Sequence, residues 1–285
     1  MNQESGPAVC LTFDFDALSV WLGSFGIDTP TAMSRGEFGA RVGVPRILRL
    51  LAREQIQATF YIPGHTVDSF PEVCAEIRDA GHEIGHHGYL HESPVTLDEQ
   101  HEREVIEKGL ESLQRIDVTP AGYRSPGWDL SASSVGLLLE YGFVYDSSMM
   151  GADYQPYWCR RGDVPHRDRA YQWGQEVELV ELPVSWALDD FPQMEFLLNA
   201  ALPGLSGYDK TLGMWRTDFD YMLAEEPGGV FCITFHPQVI GRGGRMTILQ
   251  NLIGHMRAAG ATFRRAGDVA ADWKAAHPLP TAGAG

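Results

Sequence analysis

Four of the chain's ten histidines fall in the stretch GHEIGHHGYLHES, residues 81–93. Clustered imidazoles suggest a metal, and two pairs, His82 with His86 and His87 with His91, share one spacing. Local conformation separates them. His82 follows Gly81 and opens the strand-like run HEIGHH, so an extended path of about 3.3 Å per residue holds it roughly 13 Å from His86, too far to share an ion. If the chain turns helical past the strand end, His87 and His91 lie on one face roughly 6 Å apart. His86 then points away from His87 and reads as a support behind the ligands or a core residue, and His82 as a turn residue. The bland alternative is a run of solvated or core histidines.

TFDFD, residues 12–16, adds carboxylates. Strand alternation sends Asp14 and Asp16 to one side and Phe15 to the other. Two neighbouring carboxylates repel, and a metal offsets this most simply, ahead of a shared proton or an arginine. One carboxylate with two imidazoles leaves coordination positions open, as in a catalytic rather than a structural site. Zinc is the first choice, and cobalt, nickel, manganese and iron suit the same donors.

Apolar strand-like segments supply the frame: AVCLTFDFD, QATFYIP, HEIGHH, AGYRSP, GFVYDSS, ELVELPVS, GGVFCITFHP and ATFRRAGD. Helical patterns alternate with them, three ending in a glycine that leads into a strand, Gly81, Gly142 and Gly260. Thr96 and Glu99 read as a capping box ahead of one such helix. Apolar strands between helices predict an α/β protein with a parallel sheet, open or closed into a barrel. In both architectures chemistry sits beyond the carboxyl ends of the strands. Arg124, Asp146, Ser185, Trp186 and His236 join the aspartates and histidines there. Irregular stretches at 17–44, 149–176 and 188–228 read as loops over a site.

The 285 residues fit a single domain, expected over 1–275 with a flexible tail at 276–285. A net charge of −16 disfavours nucleic acid and anionic membrane as partners. No basic segment with an apolar run opens the chain, which is the basis for expecting a cytoplasmic protein. Cys10, Cys74, Cys159 and Cys232 form no CxxC pair and read as buried hydrophobes.

Taken in order, TFDFD, HGYLH, RSPGW and ITFH resemble the motif set of the polysaccharide deacetylase superfamily, also called NodB homology or carbohydrate esterase family 4. The resemblance implies a distorted (β/α) TIM-like barrel of seven or eight strands. It also implies a divalent metal on Asp16, His87 and His91, Asp14 as general base, Arg124 as the partner keeping Asp14 ionised, and His236 as general acid. Phe15 separates aspartates that are adjacent in the family pattern, which bears on their division of roles. RSPGW, PVSWALDDFP and HPQVIGRGGR are more similar to the branch of peptidoglycan deacetylases, cyclic imide hydrolases and allantoinase-like enzymes.

The expected reaction is therefore metal-dependent hydrolysis of a non-peptide carbon–nitrogen bond. With no export signal visible, a small cyclic amide or imide is the expected substrate, bound by Trp128, Trp186 and Phe191. Trp21, Trp158 and Trp173 could line the same pocket. Equally, these aromatics could pack loops together or form a subunit contact in a homo-oligomer. Competing readings are N-deacetylation of sugars or peptidoglycan, a non-haem iron oxygenase using the same three ligands, and a catalytically silent binding module.

Overall fold

The computed structural model describes residues 6–197 and 204–279. Its strands are β1 (Ala8–Asp14), β2 (Thr59–Ile62), β3 (Glu83–His86), β4 (Gly122–Tyr123), β5 (Tyr145–Asp146), β6 (Tyr157–Arg161), β7 (Gln175–Glu181), β8 (Val230–Phe235) and β9 (Thr262–Phe263). They run β6-β7-β5-β4-β3-β2-β1-β8 across one curled sheet, with β9 added to the foot of β1. Every pairing is parallel except β6 with β7. This curled α/β half-barrel is the TIM-like fold expected.

Alternation along β1 builds two faces at once. Val9, Leu11 and Phe13 enter the main core beneath the helices, whereas Cys10 packs with Tyr61, Tyr145 and Cys232 on the concave side. Phe13 pairs in register with Phe60 and Phe235, its ring 4.8 Å from one and 5.6 Å from the other. Each such buried ring contributes about 1.5–3 kcal/mol. Phe15 continues this alternation past the strand and is fully buried in the same core. Asp14 and Asp16 are thereby both left facing the concave, carboxyl end.

Several local expectations are corrected. The helix Glu99–Gln114 is capped by Asp98, which accepts from the His101 amide at 2.9 Å, whereas Thr96 bonds back to Ser93 inside a short turn started by Pro94. The three stretches read as loops contain regular structure. Residues 17–44 hold the helix Pro30–Phe38, 149–176 hold β6, and 188–228 hold the 18-residue helix Tyr208–Glu225. The four cysteines are free and buried. The last helix is Ala266–Ala276, so the expected tail begins at its final residue, and 280–285 lie outside the described residues. Among the described residues no helix is long and apolar enough to cross a membrane.

Candidate active site

Asp14, the last residue of β1, is 2 % exposed and receives a 2.8 Å hydrogen bond from Arg124 Nη1. Arg124 is itself fully buried, just past β4, and its guanidinium spends its other protons on Thr12 and Thr234 hydroxyls, Ser147 Oγ and the Ser147 carbonyl. The Tyr61 ring lies 4.1 Å beneath it. Burial works against the Asp14 charge, but Arg124, with His87 and His236, outweighs it and holds the carboxyl below its usual range. Asp14 is thus a carboxylate at neutral pH.

Asp16 has no arginine. Its Oδ1 stands 3.6 Å from His87 Nε2 and 3.8 Å from His91 Nε2. Burial pushes its pKa up to about 8, with the charges of Asp14 and Asp189 adding to the effect against His236 and the Gln238 amide. Among the described residues, Asp16 Oδ1 and His87 Nε2 are buried polar atoms without a hydrogen-bond partner.

The histidine tautomers explain why. His87 Nδ1 donates to the Arg124 carbonyl at 2.7 Å, which leaves a lone pair on Nε2. Burial lowers the pKa of His87 to about 4 and that of His91 well below its ordinary value. Asp16 Oδ1 and the imidazole lone pair of His87 therefore face one another across 3.6 Å, too far apart for a hydrogen bond even though Asp16 holds a proton below about pH 8. A cation satisfies both. Asp16, His87 and His91 indeed offer donor atoms within 4.8 Å of one another.

His87 and His91 do come together, their rings 4.8 Å apart, but not on a helix. The chain leaves β3 in a loop with positive φ at Gly88 (70°) and His91 (63°), which folds His91 back over His87. His86 lies below this loop with both ring nitrogens used, Nε2 donating to the Ile106 carbonyl and Nδ1 accepting from the Gly88 amide. It shapes the loop that carries His87 and His91 and stacks on Tyr123. His82 accepts from the Ala58 amide at the foot of β3.

His236, just beyond β8, faces Asp16 from the opposite side, its Nε2 3.7 Å from Asp16 Oδ2. Behind it stand two acids that sequence reasoning did not single out, Asp189 and Asp190. Asp190 accepts from the His236 amide and from Nδ1 at 2.8 Å. Burial disfavours a charged His236, but Asp189, Asp190 and Asp16 prevail and raise its pKa well above the ordinary value. Forty-six residues separate Asp190 from His236, and no spacing rule connects them.

These groups floor a cavity of about 340 Å³ walled by Val20, Phe25, Trp128, Trp186, Phe191 and Pro192. Trp186 stacks on Trp128 at 4.5 Å and is half open to solvent. The other three tryptophans considered for this pocket lie elsewhere. Trp21 is in the core under Arg35, Trp158 packs on Trp273, and Trp173 is exposed beside Tyr171. The hairpin region 149–176 supplies none of the cavity's lining.

The polysaccharide deacetylase family profile matches residues 2–145. Over 258 residues the chain is 38 % identical to a peptidoglycan deacetylase of Helicobacter pylori, covering 85 % of this chain and 87 % of that one. The chain belongs to the polysaccharide deacetylase family. A polysaccharide deacetylase candidate from Mycobacterium smegmatis superposes with a TM-score of 0.84 at 35 % identity, over 100 % of this chain and 96 % of that one. An allantoinase structure shares the polysaccharide deacetylase fold at a TM-score of 0.79 and 23 % identity, over 98 % and 94 % of the two chains.

Proposed function

We propose that this chain is a divalent-metal-dependent hydrolase of carbon–nitrogen bonds other than peptide bonds, acting on a small cyclic amide or imide. The observation that carries this reading is the pair of buried polar atoms without a hydrogen-bond partner, Asp16 Oδ1 and His87 Nε2, facing each other beside His91. Asp16, His87 and His91 are the proposed ligands, for zinc first and for cobalt, nickel, manganese or iron on the same donor set. A cation held there supplies Lewis acidity to the substrate carbonyl and acidifies the attacking water.

The remaining work belongs to the chain. Asp14, kept ionised by Arg124, accepts the water's proton as its oxygen adds to the carbonyl carbon. His236 starts protonated and gives its Nε2 proton to the departing nitrogen when the carbon–nitrogen bond breaks. Asp190 holds Nδ1 so that the ring keeps facing the reacting centre. Return of a proton from Asp14 to solvent and of one from solvent to His236 restores the starting state.

A cavity near 340 Å³ is at the small end of ligand pockets, which supports a compact substrate. Its aromatic walls offer flat faces to a planar ring, with Trp128, Trp186 and Phe191 as the proposed contacts. This reading places the reaction on a cytoplasmic metabolite. A second reading, N-deacetylation of an amino sugar or of peptidoglycan, draws on the names of the relatives and on the outward face of Trp186, which could stack a sugar ring. Chelator-treated protein, assayed with and without added zinc, cobalt or manganese on cyclic imides and on N-acetylglucosamine oligomers, separates them. Ring opening supports the first and acetate release the second. Absence of metal-dependent turnover of either would sink both.

A further inference from the structure

The segment that follows β1 reaches back to the ligand loop. Ser24 Oγ lies 2.6 Å from His91 Nδ1 and 3.0 Å from the His91 carbonyl oxygen. A hydroxyl has one proton to place. Given to Nδ1, it would leave two oxygen lone pairs facing each other at 3.0 Å. Given to the carbonyl, with Nδ1–H donating to Oγ, it puts a proton in both contacts. Only this second arrangement satisfies every atom, and it leaves the Nε2 lone pair of His91 directed at Asp16 Oδ1.

The approach is close as well as polar. A Cβ on Gly23 would stand 1.7 Å from the Leu90 carbonyl oxygen, so only glycine allows the turn Val20–Ser24 to lie against Leu90 and His91. His91 itself has φ 63°, a left-handed conformation a histidine does not favour unaided. Ser24 grips the carbonyl and the ring of this one residue together.

We propose that Ser24 is a positioning residue for the metal site, fixing both the backbone turn and the Nδ1–H tautomer of His91. The proposal rests on the metal reading given above. It also assigns residues 20–24 a part in constructing the ligand set, beyond walling the cavity. His87 obtains the same tautomer from a backbone carbonyl, so Ser24 is the member of this outer set that a side-chain substitution can remove.

The test is a comparison of Ser24→Ala, Ser24→Thr and Gly23→Ala with His87→Ala and Asp16→Ala. Ser24 is open to solvent, so its truncation leaves folding stability nearly unchanged. Zinc affinity, measured by competition with a chromophoric chelator, should fall 10–100-fold in Ser24→Ala and stay near wild type in Ser24→Thr. Gly23→Ala should weaken zinc without removing any hydroxyl. Nitrogen-15 NMR of the metal-free protein should show His91 protonated at Nδ1 in wild type and in Ser24→Thr, and a tautomer mixture in Ser24→Ala. Wild-type zinc affinity together with an unchanged tautomer in Ser24→Ala would overturn the proposal. If instead His87→Ala and Asp16→Ala bind zinc as wild type does, the metal reading falls, and the tautomer measurement decides the role of Ser24 alone.

Discussion

The Arg124–Asp14 pair gives the sharpest energetic expectation. Both groups are buried, and Arg124 binds Asp14 at 2.8 Å while donating to four further acceptors. Arg124→Met removes the guanidinium and strands an ionised carboxylate of 2 % exposure. Breaking a buried pair from one side costs about 3–5 kcal/mol. At about 2–4 °C per kcal/mol for a domain approaching this size, that is a fall in Tm of roughly 6–20 °C.

The double variant Asp14→Asn/Arg124→Met leaves no stranded charge, so its loss should fall short of the sum of the single losses by at least about 2 kcal/mol. The pH dependence has a definite sign. In wild type the lowered pKa of Asp14 contributes stability that is present above the unfolded-state value near 3.9 and lost as pH falls through the folded value. Without Arg124 the carboxyl moves upward instead, so the gap between wild type and variant should widen from about pH 4 towards neutrality. Urea unfolding of the four proteins, chelated and across that range, checks both points. Additive losses, or a gap that narrows with rising pH, would refute the reasoning.

Asp14→Asn alone should keep zinc affinity within a few-fold while lowering kcat about 10²–10⁴-fold, which steady-state kinetics beside a metal titration would check. Because Asp16 is pushed up to about 8, metal must displace a proton below that pH. Apparent affinity should then rise about tenfold per pH unit up to roughly pH 8 and level off. Calorimetric titrations in buffers of different ionisation enthalpy count the protons released, and finding none at pH 7 would contradict the assignment. Cys74, its thiol pushed up to about 12 by burial, should resist Ellman's reagent in the folded protein, as should the other three buried cysteines. All four should react in guanidinium.

What the sequence revealed follows from which signals are local. The alternation in TFDFD correctly sends both aspartates to one side, because a buried Phe15 anchors the register. The spacing of His87 and His91 anticipated that the two rings meet, but through a helical turn that the chain does not form. A helical turn and a loop folded at Gly88 and His91 both close a four-residue span, and spacing does not distinguish them. β6 escaped notice because YWCRR is an antiparallel edge strand whose second half is charged. The helix Tyr208–Glu225 did carry a signal, since Thr211, Trp215, Phe219 and Met222 recur on one buried face. Asp189 and Asp190 were illegible as partners of His236 because only the fold brings the end of the β7 loop beside β8.

β1 sits between β2 and β8 and carries Asp14 at its tip. Its pairing with β8 joins Ala8 to Val230 and Phe13 to Phe235, over two hundred residues apart in sequence. During synthesis, therefore, one full edge of this apolar strand stays open until Val230–Phe235 has been made. Such an edge is an invitation to strand addition from other molecules. The closure that delivers His236 to Asp16 is thus also the event that ends the nascent chain's exposure to aggregation.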